Sequence, residues 1–356
     1  MRKERNSFFT NLAFEQAKIN LGSTGKNPSV GCIIEKNGTV LSSGFTSYKG
    51  RPHAEFNALN KNQSFKNANA YLTLEPCSHY GITPPCVNII IKKKIKNVFF
   101  PINDVDTRTA HKAKKILKRK KINVIRQKNN KYAKKFYESY LLYKKFGKPL
   151  LDAKIAISND FYTKSKDKEF ITNIHSIKRV HLLRSFYDCI LSTSKSINDD
   201  NSILNCRING LRKNSPAVII IDRNFKLKKN LKIFKKNNKK IYLFISVENK
   251  TKEYFFKKKG VKIIKYTSIN EVNDYIKIFA RLSKIGFSRI FVEAGLKFTN
   301  YLIKNKFLNN IYVFKSKEKL NKKGIRTAKI NILKKIKLKH KVKVNLFGDM
   351  LYKIKL

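Results

Sequence analysis

At 356 residues, with 42% apolar and 29% charged residues, the chain is long enough to bury two ordinary cores and too apolar to be disordered. Its formal charge of +56, from 79 Lys+Arg against 23 Asp+Glu, invites a polyanion, because clustered cations displace phosphate counterions. The cations are spread along the chain and come with many Asn, Ile, Phe and Tyr but no Trp, so the excess reads as compositional drift toward lysine and no specific nucleic-acid partner is expected. Five cysteines, an odd number, and a start without a continuous apolar stretch argue against a disulfide framework and for a reducing, cytoplasmic setting. No run approaches the roughly 20 apolar residues of a membrane span.

Phe9, Leu12, Ala13, Ala17 and Leu21 recur at helical spacing, so an amphipathic helix opens the chain. A buried strand follows over 30–34, a hairpin turn at 36–38 and a return strand over 40–45. A short helix is expected over 53–59, a strand over 70–74, and another helix from Pro84 or Pro85, since proline suits a first turn. Strands over 97–100 and 123–125 flank a helix near 110–120. This alternation predicts a three-layer α/β domain. One helix is expected over 131–146, ended by Gly147, Lys148 and Pro149, which places a domain boundary between 1–147 and 148–356. Beyond it, strands at 150–157, 189–191, 217–221, 241–245, 261–264, 289–292 and 311–314 with helices between them predict a second α/β domain. The basic runs 226–240 and 334–343 read as solvated loops or faces.

Two segments carry chemistry. Pro52-His53-Ala54-Glu55 opens a helix, and Glu75-Pro76-Cys77 ends a strand, with Cys86 following. His53, Cys77 and Cys86 give one imidazole and two thiolates, a set that leaves the fourth tetrahedral position of a zinc ion open. Glu55 stands two residues after His53, close enough to move a proton to and from a water there. The order His-x-Glu, then Pro-Cys, is that of zinc deaminases, but here eight residues rather than two separate the cysteines. His79, inside that insert, faces the substrate, supplies a fourth ligand, or is an ordinary loop residue. Cys32, Cys189 and Cys206 have no partner at ligand spacing and read as buried thiols.

The segments Asn27-Pro28-x-Val30-Gly31-Cys32, Pro52-His53-Ala54-Glu55-x-Asn57-Ala58-Leu59 and Tyr71 through Cys86 closely resemble the bifunctional riboflavin-biosynthesis deaminase/reductase family. The resemblance continues through Lys154-Ile155-Ala156-x-Ser158-x-Asp160, Leu182-Leu183-Arg184, Asp200 to Ile208 and Val292-Glu293-Ala294-Gly295, and fades after Phe314. It implies a cytidine-deaminase-like domain followed by a dihydrofolate-reductase-like α/β domain. The first would deaminate a diaminopyrimidine bearing a phosphoribosylamino chain; the second would reduce the ribosyl group to ribityl with NADPH. A homodimer is a family-level expectation only. By resemblance Asn27 and His79 contact the pyrimidine in the first site. Ala156, Phe170, Thr172, Ser196, Asp200 and Gly295 fall at cofactor positions in the second, and Lys168, Arg184, Leu204, Arg207 and Glu293 at substrate positions. Lys168 is carried by position alone.

Four residues depart from the family's pattern. Thr46 replaces a histidine, Ile82 a Lys or Arg within the insert, Phe161 the glycine after Asp160, and Phe170 a tryptophan near the nicotinamide. At position 161 a negative φ makes the change harmless and a positive φ makes it costly. Two other readings stay open on sequence alone: a deaminase with an impaired reductase domain, and an RNA-binding or RNA-editing zinc deaminase.

Overall fold

The structure, a computed structural model, describes residues 2–127, 130–235 and 239–356. Residues 236–238 of the basic run expected over 226–240 lie outside the described residues. The chain divides into two compact units, Met1–Lys148 and Pro149–Leu356.

The first unit runs α1 (Arg2–Lys18), β1 (Gly31–Lys36), β2 (Thr39–Phe45), α2 (Ala54–Leu59), β3 (Asn69–Leu72), α3 (Cys86–Lys92), β4 (Asn97–Phe100), α4 (Lys112–Arg119), β5 (Asn123–Arg126), α5 (Lys131–Phe136) and α6 (Glu138–Phe146). Its sheet has the order β2-β1-β3-β4-β5, with β1 antiparallel to both β2 and β3 and the other pairs parallel. Asn37 and Gly38 both have positive φ (52° and 92°), the backbone that lets a tight hairpin follow the strand twist. Strand alternation sorts the core into two layers. Ile33, Tyr71 and Phe99 meet Phe9 and Ala13 of α1, whereas Ile34, Ala70, Leu72 and Val98 pack with Ala58, Leu59, Ile90 and Leu117.

Gly44 permits the close approach that seats the first turn of α2. A Cβ there would stand 2.3 Å from the Ala54 carbonyl oxygen and 2.6 Å from the Ala58 nitrogen, both backbone atoms. Gly44→Ala is therefore expected to push α2 off β2, costing about 1–3 kcal/mol. Because His53 immediately precedes α2, the same variant should lose zinc to a chelator faster. Thermal unfolding and chelator competition check the two effects.

The single helix expected over 131–146 is two. Tyr137 (φ −89°, ψ 8°) breaks it because its ring is drawn into the core, where the hydroxyl bonds Thr73 Oγ1 (2.6 Å) and donates to the Ser29 carbonyl (3.1 Å). Gly147, at φ 64°, closes α6 in the left-handed conformation that glycine tolerates.

The second unit runs β6 (Leu150–Ile157), α7 (Ile174–Arg184), β7 (Cys189–Thr193), α8 (Ser194–Asp200), β8 (Ala217–Ile221), β9 (Ile241–Ile245), α9 (Lys250–Lys258), β10 (Val261–Lys265), α10 (Val272–Ile285), β11 (Arg289–Val292), α11 (Leu296–Lys304), β12 (Asn310–Lys315) and β13 (Met350–Lys355). The sheet order is β10-β9-β8-β7-β11-β6-β12-β13, parallel throughout except for β12 with β13. Its central strands are apolar runs because helices cover both faces. Ile219 and Ile221 pack with Ile278, Leu282 and Leu302, and Val218 and Ile220 with Val180, Leu183 and Phe256. The sequence reading did not anticipate β13, an edge strand whose lysines interrupt its apolar residues.

Candidate functional site

In the first unit His53 is the extended residue before α2 (φ −74°, ψ 161°), Glu55 lies in that helix's first turn, and Cys86 opens α3 after Pro85. The His53 Nδ1 atom lies 3.6 Å from Cys77 Sγ and 3.4 Å from Cys86 Sγ. A tetrahedral zinc with bonds of about 2.0 Å to nitrogen and 2.3 Å to sulfur requires nitrogen–sulfur separations of about 3.5 Å. The three side chains thus already form one face of such a tetrahedron. Among the described residues they are the one group of three or more His, Cys, Asp or Glu side chains close enough to hold a metal ion.

The electrostatics match that donor set. The Cys86 thiol, then the His53 ring, hold the Cys77 thiol down to about 4 despite burial, and the Cys86 amide adds a hydrogen bond to the sulfur at 3.2 Å. Burial, and then the charge of Cys77, push the Glu55 carboxyl up to about 6; it contacts the Cys86 sulfur. A carboxyl poised near neutrality beside a ligand triad can both take and return a proton. His79 stands outside the triad, its Nδ1 bonded to Thr109 Oγ1 at 2.7 Å, which removes the fourth-ligand alternative.

Around this centre, Asn27 donates to the Gly50 carbonyl at 3.0 Å, on the segment that leads to His53. Thr46 is buried and its hydroxyl accepts the Val30 amide at 2.9 Å, so that position stabilises the strand end and offers no imidazole to a ligand. Ile82 is 87% exposed at the tip of the insert. Sequence reasoning missed Arg51, which donates to Thr83 Oγ1 on that insert.

The second unit gathers its candidate residues where parallel strands end. Glu293 and Gly295 follow β11, Ser196 lies in α8 just after β7, and the two strands are neighbours. Ser196 Oγ accepts the Gly295 amide at 3.0 Å, and a Cβ on Gly295 would meet only that hydroxyl, at 3.7 Å. The start of α11 therefore has room at its first residue, beside the carboxyl ends of β7 and β11, where a helix dipole and amides at a helix start favour a phosphate. Ala156 is half-buried on β6, Thr172 half-buried just before α7, and Phe170 53% exposed.

Arg184 grips Glu293 with two parallel hydrogen bonds, Nε to Oε1 at 2.6 Å and Nη2 to Oε2 at 2.9 Å, and donates Nη1 to the Asn205 carbonyl at 3.0 Å. Both side chains are nearly buried. Burial works against the Glu293 charge, but Arg184 and Lys154 together keep its carboxyl below the usual range. His181 links Arg184 to Arg207: its Nε2 accepts from Arg207 Nε at 3.1 Å, so the proton sits on Nδ1, which donates to the Asn205 carbonyl at 2.7 Å. Burial, then Arg184, lower the His181 ring to about 4, which keeps it neutral in this role. Leu204 is buried, with φ 54°; its carbonyl accepts from Lys239, which also donates to the Ile203 carbonyl at 2.8 Å. Burial lowers the Lys239 ammonium to about 7. His181, Lys239 and the half-buried Lys154 escaped the sequence reading as site residues. Lys168 stands apart from this set, exposed and paired with Glu318 at 2.5 Å.

Phe161 has φ 68°, so the turn at this position does demand the left-handed conformation. It is fixed there by its amide to the Ser158 carbonyl (3.1 Å) and by Asn331, which donates to the Phe161 carbonyl (2.9 Å). Holding an L residue there costs about 1–2 kcal/mol. Phe161→Gly is therefore expected to be more stable than Phe161→Ala by about 1 kcal/mol, the reverse of the usual order, since both remove the ring and only glycine relieves the strain. Denaturant unfolding of the two variants measures this.

Comparison with known proteins agrees with this geometry. Residues 3–102 match the cytidine and deoxycytidylate deaminase zinc-binding region, and residues 149–316 match the RibD C-terminal domain. The riboflavin biosynthesis protein RibD of Aquifex aeolicus is 28% identical over 317 residues, 88% of this chain and 87% of that one. That of Haemophilus influenzae is 32% identical over 240 residues, 62% and 64% of the two chains. Among solved structures, Acinetobacter baumannii RibD superposes with a TM-score of 0.83 at 25% identity over 99% of both chains. The Thermotoga maritima deaminase/reductase shares the fold, with a TM-score of 0.82 at 23% identity over 100% of this chain and 99% of that one. No helix among the described residues is long and apolar enough to cross a membrane. With a zinc-deaminase triad in one unit and a match to the RibD C-terminal domain in the next, the chain belongs to the RibD family of riboflavin-biosynthesis deaminase/reductases.

Proposed function

We propose that residues 1–147 deaminate a 2,5-diaminopyrimidinone bearing a phosphoribosylamino chain, and that residues 148–356 then reduce the ribosyl group of the product to ribityl with NADPH. The observation that carries this reading is the His53–Cys77–Cys86 triad with buried Glu55 beside it, in a chain whose second half matches the RibD C-terminal domain.

Zinc held by His53, Cys77 and Cys86 would supply Lewis acidity and an acidified water. Glu55 takes a proton from the attacking water and delivers it to the departing amino nitrogen; a C–O bond forms, the C–N bond breaks, and ammonia leaves. Asn27 and His79 orient the pyrimidine, the His79 ring being set by Thr109. In the second unit NADPH would supply the hydride. The amides at the start of α11, with Gly295, Ser196, Asp200, Thr172, Ala156 and Phe170, form its wall. Arg207 and Glu293 face the substrate, Leu204 contributes backbone, and Arg184 fixes Glu293. None of the five cysteines is in a disulfide, in keeping with a cytoplasmic setting, and the reading needs neither a membrane nor a nucleic-acid partner.

Supplying the diaminopyrimidine with NADPH, and following ammonia and NADPH absorbance together, tests both halves. Coupled ammonia release and NADPH oxidation is the expected result. Ammonia release without NADPH oxidation would favour a deaminase-only chain, the reading that strained Phe161 encourages. Absence of ammonia release by the zinc-loaded protein would overturn the first half.

A further inference from the structure

We propose that Arg51 is the residue by which the first site selects a phosphorylated substrate, its guanidinium receiving the phosphate that the loop between the two cysteines cannot hold. The inference rests on the reading of that site given above and names a specificity-determining residue for it. The loop 78–85 contains no Lys or Arg, in a chain with 79 of them. Its tip is open, Tyr80 being 77% and Ile82 87% exposed, so a substrate tail that leaves the metal centre along this loop meets no cation on it. Arg51 supplies one from outside. Its Nη1 lies 2.5 Å from Thr83 Oγ1, on the loop, and 3.4 Å from His53 Nε2, on the ligand triad. Its Nη2 stands 3.7 Å from where a Cβ on Gly81 would be. The guanidinium therefore spans from the metal side to the loop, between the reacting centre and solvent.

Its charge is also uncommitted. Arg5, Arg108 and Arg184 each pair with a carboxylate, whereas no carboxylate of the described residues lies within 4.0 Å of Arg51. Thr83 and the His53 ring occupy Nη1 alone, which leaves most of the five guanidinium donors available. A half-buried guanidinium with free, planar donors is suited to a phosphate, which it can meet with two parallel bonds.

The test compares wild type, Arg51→Gln and Arg51→Lys on the phosphoribosylamino substrate and on its dephosphorylated form, with zinc content as the control for folding. Arg51→Gln keeps a donor for Thr83 and removes the charge, and is expected to raise KM for the phosphorylated compound about 10- to 100-fold. Its kcat should stay within about twofold and its KM for the dephosphorylated compound should not move. Arg51→Lys, which keeps the charge, should retain most of the preference. A wild-type-like Arg51→Gln, or an equal rise in KM for both compounds, overturns the proposal and makes Arg51 a brace for the loop. Ribose 5-phosphate affinity of wild type and Arg51→Gln, measured by calorimetry, decides the role of Arg51 even if neither compound is turned over. Absent turnover by wild type counts against the substrate reading instead.

Discussion

Glu55→Gln is expected to lower ammonia release by about 10²- to 10⁴-fold while zinc content stays unchanged, the range that a single general acid–base supplies. The amide keeps the volume of the carboxyl in a fully buried position, so α2 and the ligand triad should not move. What disappears is a group that can hold a proton between two steps. Burial has already brought that carboxyl to about 6, where neither of its states is strongly disfavoured near neutral pH. Cys77→Ser makes the contrasting case: it should lose metal and activity together, because the Cys77 thiol is held as a strong donor by its neighbours. Metal analysis beside an ammonia assay separates the two variants. Ammonia release that persisted in Glu55→Gln would remove Glu55 from the proton path.

Much of the metal centre was legible before any coordinates, for a physical reason. A zinc ligand must be His, Cys or a carboxylate, and tying His53 to Cys77 and Cys86 requires a helix start and a strand end at set places. Those local signals, proline before a helix and an apolar run before Glu75, are written in adjacent residues. The central strands of the second unit were equally plain, since a strand buried on both faces must be a run such as Ala217–Ile221. Strand β13 was not, because an edge strand needs only one apolar face, and its lysines resembled the basic tail before it.

The residues of the second site that the sequence reading did not name share one cause. In a chain with 79 basic residues most cations are solvated, and nothing local marks the few that folding draws partly inward. Lys154 and Lys239 become visible only when folding sets them near Arg184 and Glu293, over separations of 30 to 139 residues. Arg51 is the same case in the first site, joined to Thr83 across 32 residues. Phe161 is different. The sequence posed a question that only the backbone answers, and φ 68° answers it as the strained alternative.

Removing the Glu293 carboxylate should have the largest effect on the stability of the second unit. In Glu293→Ala the Arg184 guanidinium loses both of its 2.6 and 2.9 Å partners while remaining nearly buried. Leaving a buried charge unpaired costs about 3–5 kcal/mol. For a unit of this size each kcal/mol is about 2–4 °C in Tm, so a fall of about 6–20 °C is expected in the transition of the second unit. Lys154 softens the loss: burial already lowers its pKa, and without Glu293 it can shed its proton, whereas a guanidinium cannot. The informative partner is Arg184→Met with Glu293→Leu, which replaces the ion pair by apolar groups of similar volume. Such replacements are often neutral or stabilising, so Tm should return to within about 4 °C of wild type. NADPH oxidation should not return, because the Asn205 carbonyl has lost its Arg184 donor and the proposed substrate side has lost the Glu293 carboxylate. Thermal unfolding and NADPH absorbance on the three proteins measure both. Recovery of NADPH oxidation in the double variant would reduce the pair to a structural brace, whereas recovery of stability alone assigns Arg184 and Glu293 to the reductase site.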